Sequence, residues 1–294
     1  MSSAPESASP PPFFFEYPEL PEGRPRPPAR RPAWRPWSAW VALLAGFAGA
    51  LAGAVVVGVV AAAFGASFDD PPPAVSISAT IVQDGCLVAS AFFFARLSGL
   101  PRPGDFGLRP TRPGPAVGWM AVTFFAFYAV TAIWVAILGT SPTDDKLPKE
   151  LGADTSTIAL LAVAVLVTVV APVAEEFFFR GFFFTALRNW RGVWPAAIVT
   201  GLVFGGIHAG SADATYLLPL AFFGFALCLL YVRTGSLYPC IALHCVNNSL
   251  AFGVSQDWSW QIPLVIAGAL CAIALGARLA TASWPRRAAP APAS

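Results

Sequence analysis

Apolar residues in this chain come in long runs, separated by short stretches that hold nearly all of the charge. The runs lie near 38–64, 74–95, 116–138, 157–178, 194–210, 214–232, 237–253 and 260–280. A hydrocarbon core about 30 Å thick is crossed by about 20 helical residues. The pattern therefore predicts transmembrane helices at all eight runs, with the fifth and seventh short. Lipid offers no partner to an unpaired backbone N–H or C=O, so such crossings are helical. The expected fold class is all-α, a polytopic transmembrane bundle of about eight spans.

Composition agrees. The 294 residues are 56% hydrophobic and 12% charged, with a mean hydropathy of +0.64, more apolar side chain than one soluble core hides. The net charge of +2 says little, but the placement of charge sets an orientation. With the amino terminus inside, eight crossings put 15 of the 18 basic residues on the inner side. These are the arginines of the amino-terminal segment, Arg96 to Arg112, Arg188, Arg191, Arg233 and the carboxy-terminal arginines. Only Lys146 and Lys149 fall outside, and Arg180 lies within a span. Both termini are expected in the cytoplasm and the protein in the cell inner (plasma) membrane, with the lipid bilayer as its surroundings and no nucleic-acid partner.

Residues 1–36 hold 11 prolines, a basic cluster and no apolar run resembling a signal peptide, so they read as a disordered cytosolic tail. Residues 37–283 are expected to form the membrane domain and 284–294 a second disordered tail. The five cysteines sit in apolar segments without a Cys-x-x-Cys pair, which argues against a disulfide or zinc-finger framework. No internal repeat suggests a transporter built of inverted halves.

Chemistry is sought where polar groups persist despite the cost of placing them in lipid. Three apolar segments carry such groups. In the first, Glu176 and Arg180 are spaced i and i+4 and can pair along one helix face, while Glu175 points about 100° away without a local partner. An interfacial position exposed to water is the alternative for these charges. The second segment ends in Phe204-Gly205-Gly206-Ile207-His208, where two glycines let another backbone come close. The third holds His244 and Asn248, again i and i+4, which read either as two donors aimed at one point or as glue between helices. These segments contain both histidines of the chain. By run position, His208 falls near the outer end of its span, whereas Glu175 lies nearer the inside.

The order Glu-Glu-x-x-x-Arg, Phe-x-x-x-His, His-x-x-x-Asn resembles the CAAX protease and bacteriocin-processing (Abi) family of intramembrane endopeptidases, which includes the type II CAAX prenyl endopeptidases. The motif core covers 170–250, and Phe106-Gly107-Leu108-Arg109 and Thr234-Gly235-Ser236-Leu237 look similar to family stretches as well. The resemblance implies that Glu175 and His208 activate a water, that His244 and Asn248 stabilise the oxyanion, and that Glu176 and Arg180 support them. It implies a protein or peptide substrate. No metal is expected to be obligatory, because the chain lacks His-Glu-x-x-His; if zinc is present, Glu175, His208 and His244 would be its ligands. Prenylated C-a-a-X proteins are substrates of eukaryotic relatives. The Ala, Pro and Gly-rich composition points instead to a bacterium, and so to bacteriocin maturation, immunity or membrane-protein processing.

Three other readings compete. Cys240, His244 and Asn248 can be drawn as a Cys-His-Asn set. Asp84, Glu175 and the histidines would suit a transporter's proton relay, with Asp84 alternatively serving as a buried partner near Arg180. A non-catalytic scaffold or immunity protein would keep the fold alone.

Overall fold

A computed structural model describes residues 32–139 and 147–282. Of the expected tails, 1–36 and 284–294, residues 1–31 and 284–294 lie outside the described residues. Eight main helices follow in order: α1 (Pro36–Ala63), α2 (Pro73–Arg96), α3 (Pro113–Leu138), α4 (Thr157–Arg191), α5 (Val193–Ile207), α6 (Leu217–Thr234), α7 (Tyr238–Ser255) and α8 (Gln261–Ala282). Each falls on one of the predicted runs, and the described residues form no strand. Six of the helical segments are long and apolar enough to cross a membrane. The other two, α5 and α7, are the ones the run lengths mark as short. The chain is a multi-pass membrane protein.

Local chemistry sets the helix ends. Proline occupies the first turn of α1, α2, α3 and α7, where its missing N–H costs nothing. The Ser156 side chain accepts from the Ala159 N–H at 3.1 Å and so caps α4. Gly139 and Gly235 end α3 and α6 in the left-handed conformation.

The helices divide into an inner and an outer set. Within their apolar windows, 44% of α4 and 50% of the α6 segment is buried, against 17% for α1, 11% for α3 and 6% for α8. Leu44, Leu51, Phe125 and Ile137 of the outer set are exposed, as lipid-facing side chains are. Inside, Phe178, Phe179, Phe182, Phe183 and Phe184 of α4 are completely buried. Trp34, just ahead of α1, is buried too, with ring centroids 4.9 Å from Phe106 and 5.1 Å from Phe182.

The longest helix departs from the expected boundaries. α4 runs 35 residues, to Arg191 rather than about 178, and passes through π-helical turns at Leu166–Val170 and Phe177–Phe184. Gly192, at φ +80°, then turns the chain directly into α5. Glu175 is 17 residues before that glycine and His208 is 16 residues after it. At about 1.5 Å per residue both stand some 25 Å from the turn. Because α4 extends further than its apolar run, Glu175 and His208 are separated from the turn by similar numbers of residues.

α5 packs tightly on α6. A Cβ at Gly205 would stand 2.5 Å from the Leu217 carbonyl oxygen and 2.7 Å from the Ala221 nitrogen, so only glycine permits this approach. Gly206 beside it faces open space. The two loop motifs clasp each other at the base of α6 and α7. The Leu237 N–H donates to the Gly107 carbonyl at 2.8 Å, the Ser236 hydroxyl to the Arg109 carbonyl at 2.6 Å, and the Thr111 hydroxyl to the Thr234 carbonyl at 2.9 Å.

Candidate active site

The polar residues of α4 and α7 meet in the interior, and His208 of α5 approaches them across the Phe204 ring. Glu176 and Arg180 are both fully buried, which removes the interfacial reading for them. Arg180 Nη1 donates to Glu176 Oε1 at 2.6 Å along the i, i+4 face, and Nη2 donates to the Gly224 carbonyl of α6 at 3.0 Å. The guanidinium also lies 4.6 Å from the centroid of the Phe204 ring. A cation in an apolar interior is thus paired, hydrogen-bonded and placed against a π face.

Glu176 Oε1 has a second partner, His244 Nδ1 at 2.8 Å. An ionised carboxylate only accepts, so Nδ1 carries the proton and the other nitrogen, Nε2, points elsewhere. It points to Glu175, whose Oε2 is 3.9 Å away. That separation exceeds a direct hydrogen bond, and Glu175 Oε2, although buried, has no hydrogen-bond partner among the described residues. The rings of Phe204 and Phe223 pack at 5.8 and 5.4 Å from the His244 ring and hold its plane.

His208 closes α5. Its Nδ1 lies 2.7 Å from the Phe204 carbonyl one turn back, so Nδ1 donates there and Nε2 is left outside that bond. Its ring is 4.9 Å from the Phe204 ring, so one phenylalanine touches both imidazoles and the Arg180 guanidinium.

Asn248 is tied to a break in α4. In the π turn, the Ala171 N–H bonds to Leu166, five residues back. Residue 172 is proline and has no N–H, so the Val167 carbonyl has neither an i+4 nor an i+5 donor. Asn248 Nδ2 supplies one at 3.0 Å. Its Oδ1 accepts from Asn247 at 3.3 Å, and the Asn247 Oδ1 accepts from the Tyr128 hydroxyl at 3.2 Å. The amide keeps a second N–H. Here Asn248 joins α7 to α4, as the interhelical reading of that segment expects.

Other residues separate from their sequence readings. Cys240 is buried, and its thiol faces the Leu227 carbonyl at 3.5 Å, not His244, so the Cys-His-Asn set does not assemble. Among the described residues, no group of three or more His, Cys, Asp or Glu is placed to hold a metal ion; Glu175, His208 and His244 do not come together as a ligand set. Asp84 of α2 is buried and within electrostatic reach of Glu175, rather than serving as a partner of Arg180. Gly224, Phe223, Asn247 and Tyr128 join the site's surroundings without a motif to announce them. Only the polarity of Asn247 inside an apolar run hinted at a role.

The sequence comparisons converge on this region. A family model described as type II CAAX prenyl endopeptidase Rce1-like matches residues 157–250. A Bacillus subtilis (strain 168) protein named "Putative membrane peptidase YdiL" is 27% identical over 118 residues, covering 37% of this chain and 47% of that protein. The chain thus aligns with about half the length of that relative. No solved structure matches the chain. Every residue of the Glu175, Glu176, Arg180, His208, His244 and Asn248 constellation lies in the stretch 157–250, which is similar to the Rce1-like type II CAAX prenyl endopeptidases.

Proposed function

We propose that this protein is an intramembrane endopeptidase that hydrolyses peptide bonds with a water activated at Glu175. The observation that carries the reading is the buried Glu175 Oε2, without a hydrogen-bond partner among the described residues, facing His244 Nε2 across 3.9 Å. A water about 2.8 Å from each atom fits over a base of that width. It would be held between the Glu175 carboxylate and an imidazole that Glu176 fixes from behind.

In the proposed reaction Glu175 takes a proton as the water oxygen bonds to the scissile carbonyl carbon, and the carbonyl electrons move onto its oxygen. His208, protonated at Nδ1 by its bond to Phe204, presents the Nε2 lone pair that helps orient the water. His244 and the second N–H of Asn248 receive the oxyanion. Collapse of the intermediate breaks the C–N bond, and the departing amine takes the proton from Glu175.

Geometry supports the role of His244. The Glu176 carboxylate holds His244 through Nδ1, which turns Nε2 toward Glu175. Glu176 and Arg180 act as positioning residues, since Arg180 fixes the carboxylate that fixes His244.

The substrate class is a protein or peptide reached from within the membrane, and the proposed chemistry uses no obligatory metal. Both termini are proposed to be cytoplasmic, following the positive charges. The test is cleavage of a peptide library by the purified protein in detergent, wild type beside Glu175→Gln. Cleavage lost in the variant supports the proposal, and equal products from both sink it. A second reading, a proton-relaying transporter, draws on the proximity of Asp84 to Glu175. It would show as proton flux into liposomes with no peptide product.

A further inference from the structure

α3 carries three hydroxyl side chains, and one of them reaches the site. Thr123 and Thr131 donate back to the Trp119 and Phe127 carbonyls of their own helix, at 2.8 and 2.9 Å. Tyr128 instead crosses to α7 and donates to Asn247 Oδ1 at 3.2 Å. A phenylalanine would fill the same space in this apolar helix, so what the phenol oxygen adds is that one bond. The ring is held in place: Phe124 and Phe127 flank it at 4.6 and 5.1 Å, and Phe127 lies 4.7 Å from Phe223 of α6. From Tyr128 the bonds run in one direction. Asn247 Nδ2 donates to Asn248 Oδ1 at 3.3 Å, and Asn248 Nδ2 donates to the Val167 carbonyl at 3.0 Å. Their order is fixed from the far end. A backbone carbonyl only accepts, so Asn248 turns its NH2 toward Val167 and its oxygen toward Asn247. Asn247 then offers its own NH2, which leaves its oxygen for Tyr128 and makes the phenol the donor.

An amide group is planar, so a bond at Oδ1 and a bond at one N–H together fix the direction of the other N–H. In Asn248 that other N–H is the donor assigned to the oxyanion. We infer that Tyr128, acting through Asn247, is a positioning residue that aims the second N–H of Asn248 at the oxyanion. The inference rests on the peptidase reading and extends it to α3, which lies outside the stretch 157–250. A donor aimed in advance needs no reorganisation when charge develops on the carbonyl oxygen, so its benefit appears in the transition state. Donors in series also polarise one another, which strengthens the last of them. Without the phenol, Asn247 is free to turn its amide over and Asn248 Oδ1 loses its donor. The remaining bond to Val167 then becomes a pivot about which the Asn248 amide rotates.

The test pairs a spectroscopic readout with kinetics, on the full chain in detergent. The sequence holds three asparagines, Asn189, Asn247 and Asn248, so isotopically labelled asparagine gives three side-chain NH2 signals in a magnetic-resonance spectrum. Asn189→Gln and Asn247→Gln assign them. Tyr128→Phe is expected to shift the Asn247 and Asn248 signals and leave that of Asn189 in place. On the library peptide that wild type cleaves fastest, kcat should fall about tenfold, part of the roughly 10²–10³ that losing an oxyanion donor outright costs. KM should stay within about twofold, because the donor acts on transition-state charge. In an Asn248→Ala background, Tyr128→Phe should change kcat by less than about twofold, since the amide through which it acts is gone. Asn247→Leu cuts the same chain at its middle link and should reproduce the loss, which keeps the proposal testable if Tyr128→Phe folds poorly. An unmoved Asn248 signal overturns the inference, as does unchanged kcat or a loss that persists in the Asn248→Ala background. A raised KM at unchanged kcat also overturns it, by placing the phenol on the substrate. A wild type that cleaves nothing removes the peptidase reading and the oxyanion with it, while the amide signals still show whether the relay from α3 to Asn248 exists.

Discussion

Replacing Arg180 by methionine tests whether the buried ion pair organises the site. The substitution keeps side-chain bulk and removes three interactions at once: the 2.6 Å bond to Glu176, the 3.0 Å bond to the Gly224 carbonyl and the contact with the Phe204 ring. Both partners of the pair are fully buried, so solvent does not screen it and water cannot replace it. Breaking such a pair from one side typically costs about 3–5 kcal/mol, because the remaining charge is left uncompensated. The Gly224 carbonyl lies inside α6 and keeps its helical i+4 donor, so losing the Arg180 bond there adds at most about 1 kcal/mol. At about 2–4 °C per kcal/mol for a domain of this size, the midpoint of thermal unfolding in detergent should fall by about 10 °C or more. Glu176→Gln alone strands the guanidinium and should also destabilise. The double variant removes both charges, and its cost should be less than the sum of the two by about 2 kcal/mol, a coupling of the size seen for residues in direct contact. Tryptophan fluorescence follows the transition. A loss below about 1 kcal/mol for Arg180→Met, the size of an exposed pair, or strict additivity in the cycle, would refute the reasoning. Arg180→Lys should recover only part of the loss, since one ammonium does not reproduce a planar fork that reaches both Glu176 and Gly224.

Glu175→Gln should fold as wild type, because Oε2 makes no hydrogen bond to lose among the described residues, while peptide cleavage falls by about 10²–10⁴-fold, as expected for loss of a general base. Asn248→Ala removes the donor to the Val167 carbonyl and should cost about 1–3 kcal/mol in unfolding experiments, with faster amide exchange across Leu166–Val170. Gly205→Ala forces α5 from α6 against backbone atoms and should destabilise by about 1–3 kcal/mol, while Gly206→Ala, in open space, should stay within about 0.5 kcal/mol of wild type. Dialysis against a strong chelator should leave cleavage within about twofold, since the proposed chemistry takes its base and donors from side chains; loss restored by zinc would overturn the metal-free reading.

Much of this protein is written locally. Helix positions follow from the length of apolar runs, because each helix closes its own backbone hydrogen bonds and needs only enough residues to cross lipid. The Glu176–Arg180 pair follows from i, i+4 spacing, and the Nδ1 bond of His208 to Phe204 is also made within one turn. The extension of α4 to Arg191 was not legible from hydropathy, since its last turns are polar while the helix continues to the Gly192 turn.

The tertiary structure decided what spacing leaves open. Glu175 and Glu176 are adjacent in sequence, and only the packing of α7 against α4 assigns Glu176 to His244 Nδ1 and sets Glu175 opposite Nε2. The bond of Asn248 to Val167 required a proline and a π turn on one helix to create a need that another helix meets. Asp84 stands near Glu175 rather than Arg180 because α2 lies along α4, and no periodicity within α2 records its neighbour. A helical sequence specifies which residues share a face. Which face meets which is settled by how the bundle fills its interior, through glycines that admit a backbone and phenylalanines that exclude one.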